Sequence, residues 1–190
     1  MGHYLQLGID HILDPTGLDH VYFIVSFCLM YTIKDLRKIA GLITAFTVGH
    51  SITLALAALD KIYVSQHIIE LLIPITILIS CIHNYWTPSR EKKNDGKEPK
   101  AYFAYLMIVF FGLIHGLGFS NFLSAMLFEG ESIVTPLLGF NIGIEIAQLI
   151  IVFVVLLILS MNDRFLKSKK IIPLSLNTII TLMVLRMIFM

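Results

Sequence analysis

Phe46-Thr47-Val48-Gly49-His50-Ser51 lies inside a hydrophobic run from about Ile39 to Leu59. A histidine near the middle of an apolar segment of that length is costly in a bilayer, because lipid offers it no hydrogen-bond partner. Three other apolar runs carry comparable groups: Asp19-His20, His115, and the set Asn141, Glu145 and Gln148. This distribution predicts that the runs bundle so that their polar groups meet at one metal site.

Composition supports the membrane reading. Of 190 residues, 57% are hydrophobic and 14% are charged, whereas a soluble domain carries about 25% charged residues. Several apolar runs reach ~20 residues, the length of a transmembrane helix. The expected fold class is all-α: a polytopic membrane protein, one transmembrane domain over residues 1–190, built as a six-transmembrane-helix bundle. The spans read as Gly17–Tyr31, Ile39–Leu59, Ile68–Trp86, Ala101–Asn121, Ile133–Ser160 and Ile172–Met190. Of the 14 Lys and Arg residues, all but Lys61 and Arg186 fall in three loops, around Lys34 to Lys38, Arg90 to Lys100 and Arg164 to Lys170. The positive-inside rule makes those loops cytoplasmic and puts both termini outside.

Residues 1–16 then form a short external segment, amphipathic or re-entrant, carrying His3, Asp10, His11 and Asp14. It lacks the basic start and apolar centre of a cleavable signal peptide. Cys28 and Cys81 both fall inside spans and read as small apolar fillers, not as a disulfide. The net charge of +1 gives no argument for nucleic acid as a partner. The expected partners are a metal ion and the lipid bilayer, and a homo-oligomer is compatible with the sequence.

On a helix, Thr44, Thr47, His50, Ser51 and Thr53 share one broad face. In the fourth span, Gly112, Gly116 and Ser120 repeat every four residues, a small-residue seam that lets another backbone approach around His115. In the fifth, Asn141, Glu145 and Gln148 make a polar stripe, while Gly139, Gly143 and Ala147 make a small-residue stripe on nearly the opposite side. Such a helix is buried on both faces, and an ionisable Glu there reads as functional. His67, Glu70, His83 and Asn84 sit at the ends of the third span, where contact with water is cheap, and read as interfacial.

Depth brings the first group together. At ~1.5 Å per residue in a ~30 Å core, His20 lies roughly 5 Å below the outer surface, His115 about 9 Å, His50 about 14 Å, and Asn141 to Glu145 about 12–18 Å. Histidines bonded privately to their own neighbours have no reason to agree in depth. Three histidines with one or two carboxylates suit a borderline divalent metal such as Ni²⁺, Co²⁺ or Zn²⁺, and no set of soft thiolates accompanies them.

At these residues the chain resembles the HupE/UreJ family of hydrogenase and urease accessory membrane proteins. The resemblance rests on His11 with Asp19-His20, on Ala45 to Leu54, on Gly112-Leu113-Ile114-His115-Gly116-Leu117-Gly118-Phe119, and on Gly139-Phe140-Asn141-Ile142-Gly143-Ile144-Glu145. The family is regarded as nickel or cobalt permeases of the bacterial cytoplasmic membrane. The resemblance implies His20, His50, His115, Asp19 and Glu145 as metal ligands; the reading of the residues themselves puts His11, Asn141, Gln148 and Thr47 in secondary places. The gap between His11 and Asp19 is longer here than in the family's first motif, so only the Asp19-His20 half carries over intact.

Two mechanisms suit this set. In the first, a permease, Asp19, His11 and nearby acids collect the ion, the three histidines hold it after partial dehydration, and Glu145 and Gln148 hand it inward. In the second, an intramembrane zinc hydrolase, three histidines leave an open coordination position for water. Asp19 or Glu145 would then act as general base and Ser51 as an oxyanion donor. The resemblance favours transport, although the sequence offers no matching polar stripe in the cytoplasmic half.

Overall fold

The computed structural model describes residues 1–15, 17–86, 101–119, 132–165 and 170–189. Among the described residues seven α-helices follow one another: α1 (Gly2–Leu13), α2 (Asp19–Cys28), α3 (Leu36–Ala58), α4 (Gln66–Trp86), α5 (Ala101–Gly118), α6 (Val134–Phe165) and α7 (Ile171–Phe189), with a 3₁₀ turn at Ile33–Asp35 ahead of α3. No strand occurs among the described residues. Among the described residues, four segments are long and apolar enough to cross a membrane: Ile33–Ala58, Gln66–Trp86, Val134–Phe165 and Ile171–Phe189. The chain is an integral membrane protein, and its outward faces agree. Val48, Ile52 and Leu56 form an exposed apolar row on α3, as do Leu138, Ile142 and Ile146 on α6. Lipid, unlike water, takes such rows at no cost.

The first expected span is much shorter as a helix. α2 has 10 residues, or ~15 Å, about half of a ~30 Å hydrocarbon core. Pro15 and Gly17 precede it, a pair that interrupts helix propagation. Beyond Cys28 the chain turns, and Thr32 is extended, with φ −115° and ψ 168°. There the Asp35 carboxylate accepts both the Thr32 backbone N–H and its hydroxyl, each at 2.8 Å, which starts the next helix. The fifth expected span is exceeded instead, since α6 continues through Phe165. Ser120, Asn121 and Met190, which the sequence placed in spans or seams, lie outside the described residues.

Glycine sets two close helix contacts. A Cβ on Gly49 would lie 2.3 Å from the Val109 carbonyl oxygen, one on Gly112 2.2 Å from that of Phe46, and one on Gly116 2.2 Å from that of His50. α3 and α5 therefore touch backbone to backbone, in parallel register, with His50 and His115 on either side of the seam. The expected small-residue seam of α5 is in this way matched to α3.

The small-residue stripe of α6 finds a partner the sequence did not name. A Cβ on Gly143 would meet the Leu5 carbonyl oxygen, and one on Gly8 that of Phe140, both at 2.1 Å. α1 is thus packed into the groove beside Phe140 and Ile144, and its Ile12 is fully buried. Residues 1–13 thus pack against the bundle through α6. The reason is mutual: only two glycine-bearing helices can approach so closely, and neither sequence stripe reveals its mate.

Candidate metal centre

Each histidine of the site is delivered by a different helix: His11 from the last turn of α1, His20 from the first turn of α2, His50 from the middle of α3, and His115 from the last turn of α5. His20, His50 and His115 expose 3%, 0% and 1% of their surface. Around His20 the ring centroids of His11, His115 and His50 stand at 4.7, 5.1 and 5.9 Å. Asp19 lies beside them, with one carboxylate oxygen 3.4 Å from His20 Nδ1 and the other 4.0 Å from His115 Nδ1.

These groups fall into two triads with metal-ligand spacing. His11, His20 and His50 form one, and Asp19, His20 and His115 form the other; within each, the ligand atoms lie within 4.8 Å of one another. His20 belongs to both. The shared imidazole joins a purely nitrogenous station to one that includes a carboxylate.

Hydrogen bonding says what the site is prepared to hold. Among the described residues, six buried imidazole nitrogens have no hydrogen-bond partner: His11 Nε2, both nitrogens of His20, both of His50, and His115 Nδ1. An unsatisfied buried polar group costs ~1–3 kcal/mol, so six together reach on the order of 10 kcal/mol, comparable to the net stability of a typical domain. A coordinated cation would relieve part of that cost, one lone pair from each neutral imidazole becoming a ligand. The donor set of imidazoles with one carboxylate fits a borderline divalent ion.

His115 can be read further. The Thr76 hydroxyl donates to the Ile73 carbonyl at 2.7 Å, so toward His115 Nε2, 3.0 Å away, its oxygen acts as acceptor. In the tautomer that carries its proton on Nε2, Nδ1 presents a lone pair toward Asp19 Oδ2. Asp19 Oδ2 and His115 Nδ1 would hold a divalent cation between them, which would offset the repulsion of two facing acceptors. Thr76 orients a ligand in the way that partners of metal-bound histidines do. Nothing in the sequence singled it out, since a threonine in an apolar helix ordinarily bonds its own backbone.

The other expected site residues stand elsewhere. Glu145 accepts the Thr44 hydroxyl and belongs to neither triad. Thr44 precedes His50 by six residues, which places the pair ~9 Å further along α3. Thr47 reaches Gln148 Oε1 at 3.0 Å, linking α3 to α6 beneath the triads. Ser51 donates to the Thr47 carbonyl at 2.6 Å, so its hydroxyl is turned to its own helix. Asn141 Oδ1 is buried without a partner, outside both triads. His11, the residue the motif spacing set apart, is the one that the packing of α1 brings in.

A cavity of about 510 Å³ opens beside His11, lined by Asp10, Asp14, Pro15 and Phe119 among others. The Phe119 ring lies 4.1 Å from His11 and stacks on Phe140 at 4.8 Å, so aromatic rings pack against His11 at the cavity's edge.

The family model described as "HupE / UreJ protein" matches residues 1–190, the whole chain. The chain belongs to the HupE/UreJ family. Neither a curated protein nor a solved structure matches it. In this HupE/UreJ protein, the quoted motifs containing Asp19-His20, His50 and His115 are the ones that deliver the clustered ligands, whereas the motif ending in Glu145 supplies the α1 docking groove and the bond to Thr44.

Proposed function

We propose that the protein is a permease that admits a divalent transition-metal cation, of the Ni²⁺, Co²⁺ or Zn²⁺ class, from the outer side of a bacterial cytoplasmic membrane. The observation that carries this reading is the pair of triads sharing His20. A single deep trap needs one ligand set; two sets with a common member give an ion a next position before it has left the first. Conduction requires sites strong enough to enter and divided enough to leave.

The route begins at the cavity beside His11, where Asp10 and Asp14 supply negative charge at the mouth. The ion passes to His11, His20 and His50, then across the His20 ring to Asp19, His20 and His115. In this reading the bundle has six spans with both termini outside. α5 is ~27 Å long, and the first span is divided, with α1 in the outer layer and the ~15 Å of α2 completing it inward. Glu145 and Gln148 support the α3–α6 contact below the site.

Purified protein in liposomes loaded with a metal-sensitive dye tests the proposal. Entry of at least one of Ni²⁺, Co²⁺ and Zn²⁺ should exceed that of empty vesicles by an order of magnitude or more and vanish in His20→Ala. Tight metal retention with no entry for any of the three would overturn it and favour a metallohydrolase or a binding protein.

A further inference from the structure

A second polar network lies away from the imidazoles, in the half of the bundle where the sequence offered none. Thr76, Ser80 and Asn84 recur every four residues along α4, one face descending ~12 Å from the His115 contact. Ser80 Oγ is 3.1 Å from the hydroxyl of Ser26 on α2. Asn84 Nδ2 donates to the Ser26 carbonyl at 2.8 Å and to Asn177 Oδ1 of α7 at 2.9 Å. Asn177 in turn donates to the Cys81 carbonyl at 3.1 Å. Ser26, Thr76 and Asn177 are all buried. The upper end of this seam touches the Asp19–His20–His115 triad through Thr76, and its lower end is one turn from Trp86, where α4 ends.

Part of the network is structural: Asn84 caps a carbonyl left open in the last turn of α2. That role uses only the amide nitrogen. Asn84 Oδ1 is buried and has no donor among the described residues, a carbonyl oxygen positioned among hydroxyls and carbonyls. The competing descent from the triads, through Thr47–Gln148 and Thr44–Glu145, ends differently. Below it lie Ile39, Leu42, Val152 and Leu156, each 0% exposed, an apolar floor that no hydrated ion crosses cheaply.

Resting on the permease reading, we infer that the Ser26–Ser80–Asn84–Asn177 seam is a second cation station, built of neutral oxygens, on the inward leg of the route. Hydroxyl and amide oxygens hold a borderline divalent ion far more weakly than imidazoles do. A station of that kind below the triads takes the ion from Asp19 and His115 and lets it go at the end of α4. The ordering of strong nitrogen ligands above and weak oxygen ligands below gives release without a charged residue in the seam itself.

Two measurements test the station separately from the permease reading. The first compares Asn84→Leu and Ser80→Ala with wild type, Ser80→Ala being carried because Asn84 also caps α2. Both variants should keep Ni²⁺ affinity at the imidazoles within about twofold, while initial Ni²⁺ entry into liposomes falls tenfold or more. The second uses Ser80→Cys in a Cys28→Ala, Cys81→Ala background. A membrane-impermeant thiol reagent should label it from the side of the basic loops, and Ni²⁺ should slow the labelling. Slowed labelling in a protein that carries no ion would uphold the station and sink only the permease. An inert Ser80→Cys together with unchanged entry in both seam variants would overturn the station itself.

Discussion

Thr76 Oγ1 lies 3.0 Å from His115 Nε2 and spends its own proton on the Ile73 carbonyl, 2.7 Å away. One hydroxyl on α4 thus holds the nitrogen of a histidine on α5 that faces away from Asp19. Thr76→Val keeps the shape and removes the acceptor, so it should weaken metal binding about 10- to 100-fold, the usual cost of losing such a partner. Thr76→Ser should restore it. Calorimetric titration with Ni²⁺ or Zn²⁺ in detergent distinguishes the two.

His20→Ala should cost more binding than His50→Ala or His115→Ala, because only His20 belongs to both triads. Bound metal raises stability by ~2.7 kcal/mol at a hundredfold excess over Kd. That gain, read as a rise in Tm on adding metal, should disappear in His20→Ala and shrink in the other two. Equal losses in all three would argue against a shared ligand.

Gly112→Ala should destabilise the bundle by about 1–3 kcal/mol through overpacking, since its Cβ would lie 2.2 Å from the Phe46 carbonyl oxygen. Spreading α3 from α5 also separates His50 from His115, so metal affinity should fall with stability. Gly2→Ala, with nothing within 4 Å, should change neither. Thermal unfolding and metal content in parallel check both halves.

Gly8→Ala should push α1 off α6, because the added carbon would meet the Phe140 carbonyl oxygen at 2.1 Å. Metal binding should then drop to the level of His11→Ala and not to zero, the Asp19–His20–His115 triad being intact. The double variant should be no worse than either single one. Additive losses would show that α1 contributes something other than His11.

Acidification should release the ion, since imidazole binds a metal only through an unprotonated nitrogen. The loss should be steeper than for one proton per metal, several imidazoles being displaced together. Equilibrium dialysis across pH with a fixed metal concentration gives the slope directly.

Much of this protein can be read along the chain. Apolar runs of span length, basic loops at alternate ends and glycines every four residues are local properties, and the helices α3 to α7 appear close to where those patterns put them. The clustering of Asp19, His20, His50 and His115 was legible too, because depth in a bilayer follows from residue count alone. What residue count does not contain is the rotation and crossing of one helix against another. That geometry took Glu145 to Thr44 and left it outside the triads. It seated α1 against the glycines of α6 and so delivered His11, which motif spacing had set aside. It also turned Asn84, an apparent interfacial residue, onto Ser26 and Asn177. A polar side chain in an apolar bundle must find its partner on another helix, and only the packed structure decides which helix that is.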